Sequence, residues 1–227
     1  AEFALAQDAH LDAIALGVDQ LPLDYSYMGA VVMPTLTDDA AVQAAMTEAA
    51  LTAAVTAQSP VLRAAVSQAI TQTGTLTEFV SERARFADLV ILSCPAEHDL
   101  DAESVLEAAL FGGAAPVLLV PEGQKIPSKP ARIIIAWNNS REALTAVRYS
   151  MPLLLKAEIV DIAIVAPTTT EGDPGAALCQ MLVRHGVKAQ VTVLAKDMPR
   201  VTDVLLRHAT DTDANLMVMG AYTHSRL

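Results

Sequence analysis

The chain has 227 residues, 52% of them hydrophobic and only 4% aromatic, with a formal net charge of −11. That length suits two domains of about 100–150 residues each. The acidic balance, with no basic run to offset it, argues against nucleic acid as a partner. No apolar run approaches the roughly 18 residues of a membrane span, which argues against a membrane partner.

Taken in chain order, short aliphatic runs alternate with Ala- and Leu-rich stretches. Leu11–Val18 reads as a strand and Asp19–Thr37 as a loop containing Pro22, Gly29 and Pro34. Asp38–Ala57 is Ala-rich with polar spacing, a long helix with Asp38 or Asp39 near its cap. Val61–Ser67 is a strand, Leu76–Ala84 a helix and Asp88–Ser93 a buried strand. Asp99–Phe111 is a helix stopped by Gly112 and Gly113, and Pro116–Pro121 is a strand. Glu122–Pro130 (EGQKIPSKP) has the prolines, glycine and lysines of an exposed connection. Beyond it come the strand Arg132–Trp137, the helix Arg141–Leu155 and the strand Ile159–Ala166. A polar loop, Thr168–Pro174, leads to a helix over Gly175–His185 that Gly186 terminates. Ala189–Leu194, Val201–Ala209 and Leu216–Gly220 read as strand, helix and strand. This alternation implies an α/β protein with parallel sheets and helices on both faces.

The chain also repeats itself. Ala64–Val66 lies over Ala189–Val191, and Leu76–Ala84 over Val201–Ala209, both at an offset of 125. Ala87-Asp88-Leu89 lies over Ala214-Asn215-Leu216 at an offset of 127. His10–Asp19 aligns with Glu158–Pro167. A period this long means duplicated domains rather than a solenoid. The expected division is a first domain over 1–123, a linker over 124–130 and a second domain over 131–227. The repeat has no first-copy partner for Arg132–Trp137, and no second-copy partner for Ala102–Phe111 and Pro116–Pro121. The chain is therefore expected to be clipped at both ends.

In open parallel sheets, ligands bind beyond the carboxyl ends of strands, where the strand order reverses. The relevant second-copy turns are Trp137-Asn138-Asn139-Ser140 and Gly220-Ala221-Tyr222-Thr223-His224-Ser225-Arg226. These runs, IIIAWNNSREA and VMGAYTHSR, together with ADLVILS and ANLMVMG, resemble the motifs of the universal stress protein family. The resemblance covers both halves, as in a tandem, two-domain universal stress protein. It implies two Rossmann-like domains, each an open parallel sheet of order 3-2-1-4-5, with pairing to a second copy or between domains. It further implies a cytoplasmic stress-response module that is not an enzyme, beyond at most slow hydrolysis.

Some members of that family bind ATP, which places the expected cofactor site in the second copy. Its residues would be Trp137, Asn138, Asn139, Ser140, Gly220, Thr223, His224, Ser225 and Arg226. Glycines in such a nest let main-chain amides approach phosphate. Here Asn138 stands for the family's aspartate and Thr223 for its second glycine. In the first copy Ser93-Cys94-Pro95-Ala96 occupies the glycine position, and proline donates no amide. The alternative is a scaffold for dimerisation or interaction that binds no nucleotide.

Each site residue has a plainer reading too. Asn139 with Glu142 can cap a helix, and asparagine tolerates the left-handed conformation. Trp137 can pack at a strand end or stack on adenine, and His224–Arg226 can be a solvated loop. His10, His98, His185 and His208 show no metal-ligand spacing, so no metal is expected. Cys94 and Cys179 show neither metal nor redox spacing, which favours reduced thiols in a cytoplasmic protein.

Overall fold

In a computed structural model of the chain, the aliphatic runs pair as parallel strands, the arrangement that long crossovers impose. The structure describes residues 1–19, 38–57, 62–72, 74–96, 99–166 and 174–221. They fall into two compact units, Ala1–Ser128 and Lys129–Leu227.

The first unit opens with α1 (Glu2–Ala6), β1 (Leu11–Asp19), α2 (Asp38–Thr56) and β2 (Ala64–Gln72). It continues with α3 (Leu76–Ala84), β3 (Val90–Ser93), α4 (Leu100–Glu107), a π-helical turn (Ala108–Gly112) and β4 (Val117–Val120). β1 pairs with β2 from Leu11↔Ala64 to Asp19↔Gln72, and β3 pairs with β4 from Val90↔Val117 to Ser93↔Val120. Among the described residues these form two two-stranded sheets rather than one continuous sheet of order 3-2-1-4-5, and the strand that would join them is the one without a first-copy partner, Arg132–Trp137. The strand expected over Val61–Ser67 also runs on to Gln72, because all nine residues of β1 find partners there.

Local chemistry explains these elements. Asp99 caps α4 by accepting from the Ala102 amide at 3.0 Å, and Asp101 and Glu103 oppose the helix dipole in its first turn. A Cβ at Gly17 would strike the Ala40 carbonyl oxygen, so glycine there lets α2 lie directly on β1. The core gathers Leu76, Val80 and Ala84 of α3 with Ala108, Ala109 and Ala115. Leu16 and Val18 of β1, Val90 of β3 and Val117 of β4 pack against it.

The second unit runs β5 (Arg132–Ala136), α5 (Arg141–Leu154), β6 (Ile159–Val165), α6 (Ala176–Arg184), β7 (Ala189–Leu194), α7 (Val201–Asp211) and β8 (Leu216–Met219). Its sheet has the order β7-β6-β5-β8, or 3-2-1-4 by order of appearance. Four positions of the expected five-strand order are thus in place. One face carries Ile133, Ile135, Val160, Ile162 and Val218 under Val147 and Leu154 of α5 and Leu178 and Leu182 of α6. The other carries Ile134 and Ala163 under Leu205 of α7. Cover on both faces is why β5 is a continuous aliphatic run, since a one-sided strand would alternate with polar residues. Ile133, Ile134 and Ile135 are fully buried, each contributing about 1.5–3 kcal/mol of transfer free energy. Pro130, at the end of the expected exposed connection, is also buried.

Strand pairing corrects the repeat alignment. Leu11 pairs with Ala64, and Val160 pairs with Ala189. Since Ala64 and Ala189 are repeat partners, Leu11 corresponds to Val160, one residue away from the alignment of His10 with Glu158. Asp12 then falls over Asp161. A shift of one residue exchanges the faces of a strand, so the ladder decides what sequence similarity leaves ambiguous.

Candidate functional site

Strand β5 ends where its run of isoleucines gives way to Trp137 and three polar residues. The Trp137 amide donates to the Ala163 carbonyl at 2.9 Å, extending the ladder to β6. Its side chain is partly buried against the apolar cluster beneath α5 and α6. Asn138 then folds back, its Oδ1 accepting from the Ser140 amide at 3.1 Å, an Asx turn. Asn139 takes the left-handed conformation, with φ of 60°. Asparagine adopts this more readily than other non-glycine residues, because its short side chain bonds locally.

Ser140, not Asn139, is the N-cap of α5. Its Oγ accepts from the Ala143 amide at 3.1 Å, and its own φ of −84° and ψ of 161° are extended. Asn139 cannot cap because its backbone is already committed to the turn. Two amides of the turn and first helical turn, those of Ser140 and Ala143, are therefore bonded to side chains of the same segment.

Gly220, just past β8, meets this helix end. A Cβ built there would lie 2.6 Å from the Ala143 nitrogen, 2.9 Å from the Glu142 carbonyl carbon and 3.0 Å from the Glu142 Cβ. Glycine at 220 is required by close packing of strand on helix, independently of any ligand. The structure thus brings Trp137, Asn138, Asn139, Ser140 and Gly220 together at the carboxyl end of β5 and β8. Tyr222, Thr223, His224, Ser225 and Arg226 lie outside the described residues.

A polar cluster missed in the sequence lies on the opposite face of the sheet. Asp161 of β6 is 1% exposed among aliphatic residues. Its Oδ1 accepts from the Thr192 hydroxyl at 2.7 Å, and its Oδ2 lies 2.6 Å from Nε2 of His208 on α7. The Thr212 hydroxyl in turn bonds the His208 carbonyl at 2.7 Å. Burial gives the carboxyl no substrate access, so its role is to tie α7 to the sheet. The available signal was the lone acid inside IVDIAIV, since a buried carboxyl must find donors.

In the connection between β7 and α7, Asp197 meets Arg207 of α7 at 2.7 Å. The hydrogen bond from Arg207 holds the Asp197 carboxyl below its ordinary value, and the same bond raises the guanidinium. Among the described residues, no three or more His, Cys, Asp or Glu side chains gather as metal ligands. Also among the described residues, no helix is long and apolar enough to cross a membrane.

The fold is similar to that of a universal stress protein from Archaeoglobus fulgidus DSM 4304, with a TM-score of 0.67 at 16% identity, over 99% of this chain and 81% of that one. Partial similarity extends to a universal stress protein family member from Burkholderia pseudomallei, with a TM-score of 0.32 at 20% identity over 41% of this chain and 83% of that one. It extends also to the protein Rv1636 from Mycobacterium tuberculosis H37Rv, with a TM-score of 0.31 at 17% identity over 44% of this chain and 79% of that one. No family model matches the sequence, and no curated protein matches it. At these identities the likeness is one of fold.

Proposed function

We propose that this chain is a tandem universal stress protein, a cytoplasmic stress-response module whose second unit takes an adenine nucleotide, ATP, at the junction of β5 and β8. Support for the family comes from the fold similarity over 99% of the chain and from the repeated motifs of both halves. The observation that carries the site is the convergence of the Asn138–Ser140 turn with Gly220 at the carboxyl edge of the sheet. That edge, flanked by a helix N-terminus, is where open α/β sheets hold phosphorylated ligands. In this reading the first turn of α5 faces phosphate, Trp137 or Tyr222 borders the base, and Thr223–Arg226 complete the contacts. Nucleotide then biases pairing with a second copy or between domains.

A second reading has its own observation. Ser140 and Asn138 already occupy two amides of the turn, and packing alone explains Gly220. These features suit a scaffold that binds no nucleotide.

One experiment separates the two. The purified protein is denatured, released small molecules are identified by mass spectrometry, and the ligand-free protein is titrated with ATP by calorimetry. Stoichiometric adenine nucleotide, or saturable ATP binding, supports the nucleotide site. A protein that releases none and gives no heat with ATP is the scaffold.

A further inference from the structure

The charge of the chain is unevenly spread. Residues 1–128 carry 4 Lys and Arg against 17 Asp and Glu, whereas residues 129–227 carry 11 against 9. Part of the second unit's basic charge is paired at α7, where Arg200 meets Asp203 at 3.3 Å and Arg207 meets Asp197 at 2.7 Å. The other side of the sheet differs. There α5 and α6 lie over one face, with Arg148 on α5, Arg184 on α6, and Lys156 and Lys188 soon after them, all exposed. Among the described residues, no carboxylate lies within 4.0 Å of Arg148, Arg184 or Lys188. The described acids on that side are Glu142, in the first turn of α5, and Glu158, after it.

Apolar side chains are exposed in the same place. Tyr149, Leu155 and Val183 are 54%, 53% and 55% exposed. Arg148, Pro152, Leu155 and Lys156 recur at helical spacing and form one outward stripe, opposite the buried Ala143, Val147 and Leu154. Both helices connect parallel strands, so they run against the strand direction and end at the amino edge of the sheet. Lys188 marks that edge, because its carbonyl accepts from the Val160 amide, near the start of β6, at 2.8 Å. The patch therefore lies at the opposite end of the sheet from Asn138 and Gly220. The helix dipole accounts for Arg184, in the last turn of α6. It does not account for Arg148, which precedes the last turn of α5, or for three apolar side chains facing solvent.

We propose that this patch docks an acidic polypeptide segment of a partner, one that carries apolar side chains between its carboxylates. Arg148 and Lys156 are separated by about 12 Å along the helix axis. An extended segment covers that distance in about four residues. Carboxylates three to four positions apart therefore reach both cations, and an aliphatic side chain between them meets Tyr149 and Leu155. Arg184 and Lys188 take further carboxylates beside Val183. Charge complementarity guides encounter and fixes register, while the apolar contacts add burial. Phosphate polymers and lipid headgroups match the cations but leave the apolar side chains unused. A helix enters a bilayer by its apolar face, and α5 has already turned that face to the sheet. An extended polyanion also meets the field of a chain of net charge −11, whereas a short segment meets the patch alone.

The probe is a fluorescein-labelled peptide of repeated Glu-Leu-Ser, added to the whole 227-residue protein and followed by fluorescence anisotropy. Binding should saturate, and should weaken as salt screens the charges. A peptide with Gln in place of Glu should bind at least about tenfold more weakly. The Glu peptide should lose at least as much on protein carrying Arg148→Glu with Arg184→Glu, since like charges then face each other. Tyr149→Ser should weaken binding without changing its salt dependence. All three side chains are exposed, so the urea midpoint should hold. Should the charge-reversed protein be destabilised, Arg148→Gln with Arg184→Gln removes the charges alone and should still weaken binding. Absence of saturable binding, or equal affinity for wild type and charge-altered protein, overturns the proposal. So does tighter binding to phosphatidylserine vesicles or duplex DNA that the same substitutions abolish, which would assign the patch to phosphate. Self-association of the protein alone, abolished by the same substitutions, would assign it instead to a second copy.

Discussion

Asp161 stays inside an aliphatic strand because each of its carboxyl oxygens has a partner, Thr192 on one and His208 on the other. Removing His208 leaves one oxygen buried without its partner. His208→Ala should cost about 3 kcal/mol in urea unfolding, toward the lower end of what breaking a buried pair costs. Replacing both groups, as Asp161→Val with His208→Leu, should recover most of that loss, because apolar residues of similar volume remove the demand for donors. A double variant as unstable as the single one would show that the pair does not act as a unit. Gly220→Val tests a different residue. Its side chain meets the backbone of Glu142 and Ala143, so it should cost about 1–3 kcal/mol by overpacking, with or without nucleotide. Lost ATP binding in that variant therefore says nothing about the site unless the fold is measured alongside. Residues of this kind are unevenly legible in sequence. A lone acid in IVDIAIV announces a need for donors, but His208 lies 47 positions away and only folding pairs it. The left-handed Asn139 was readable from its chemistry, whereas the cap at Ser140 hinged on a single position that only the turn geometry decides.

At the scale of elements, α5 links stability to the proposed ligand. Ser140→Ala should cost about 1 kcal/mol, the usual worth of a cap. Ser140→Asp keeps an oxygen for the Ala143 amide and so keeps the helix, but sets a carboxylate where phosphate would lie. In the nucleotide reading, Ser140→Asp binds ATP at least about tenfold more weakly at unchanged stability, since like charges at close range cost more than 1.4 kcal/mol. Equal ATP affinity in wild type and variant, measured by calorimetry, would place the phosphates elsewhere. The Asp197–Arg207 pair ties the segment after β7 to α7 and carries a pH dependence of known sign. The folded carboxyl lies below its unfolded value, so its contribution is present above about pH 4 and lost as pH falls through the folded value. Because the pair is exposed, Asp197→Asn should lower the urea midpoint only slightly at pH 7, and the difference should close as pH falls through the folded value. Element types followed readily from the alternation of aliphatic runs with Ala- and Leu-rich stretches. Element limits followed less well, because pairing decides them: β2 reaches Gln72 only because β1 continues to Asp19.

At the scale of the whole molecule, the two units are built unequally. The second has a four-stranded sheet covered on both faces, with Ile133, Ile134, Ile135, Val160 and Ile162 fully buried. Among the described residues the first has two two-stranded sheets, and its large, fully buried side chains come down to Leu76. Parallel topology was legible from the alternation of strands with helices. The split of the first sheet follows from the repeat, which leaves Arg132–Trp137, the strand that joins β6 to β8 in the second unit, without a first-copy partner. Strand pairs gain independent stability only when joined into larger sheets or packed on helices. The first unit should therefore unfold at lower urea than the second. The chain's single tryptophan, Trp137, lies in the second unit and reports on it alone. Far-ultraviolet circular dichroism reports on both. The dichroism transition should begin at lower urea than the fluorescence transition, since coincident probes are the mark of one cooperative unit. Amides of Ile134 and Ile162 should then be the last to exchange. Coincident transitions would mean that the two units unfold as a single body, and that the divided sheet of the first is no weaker than the continuous sheet of the second.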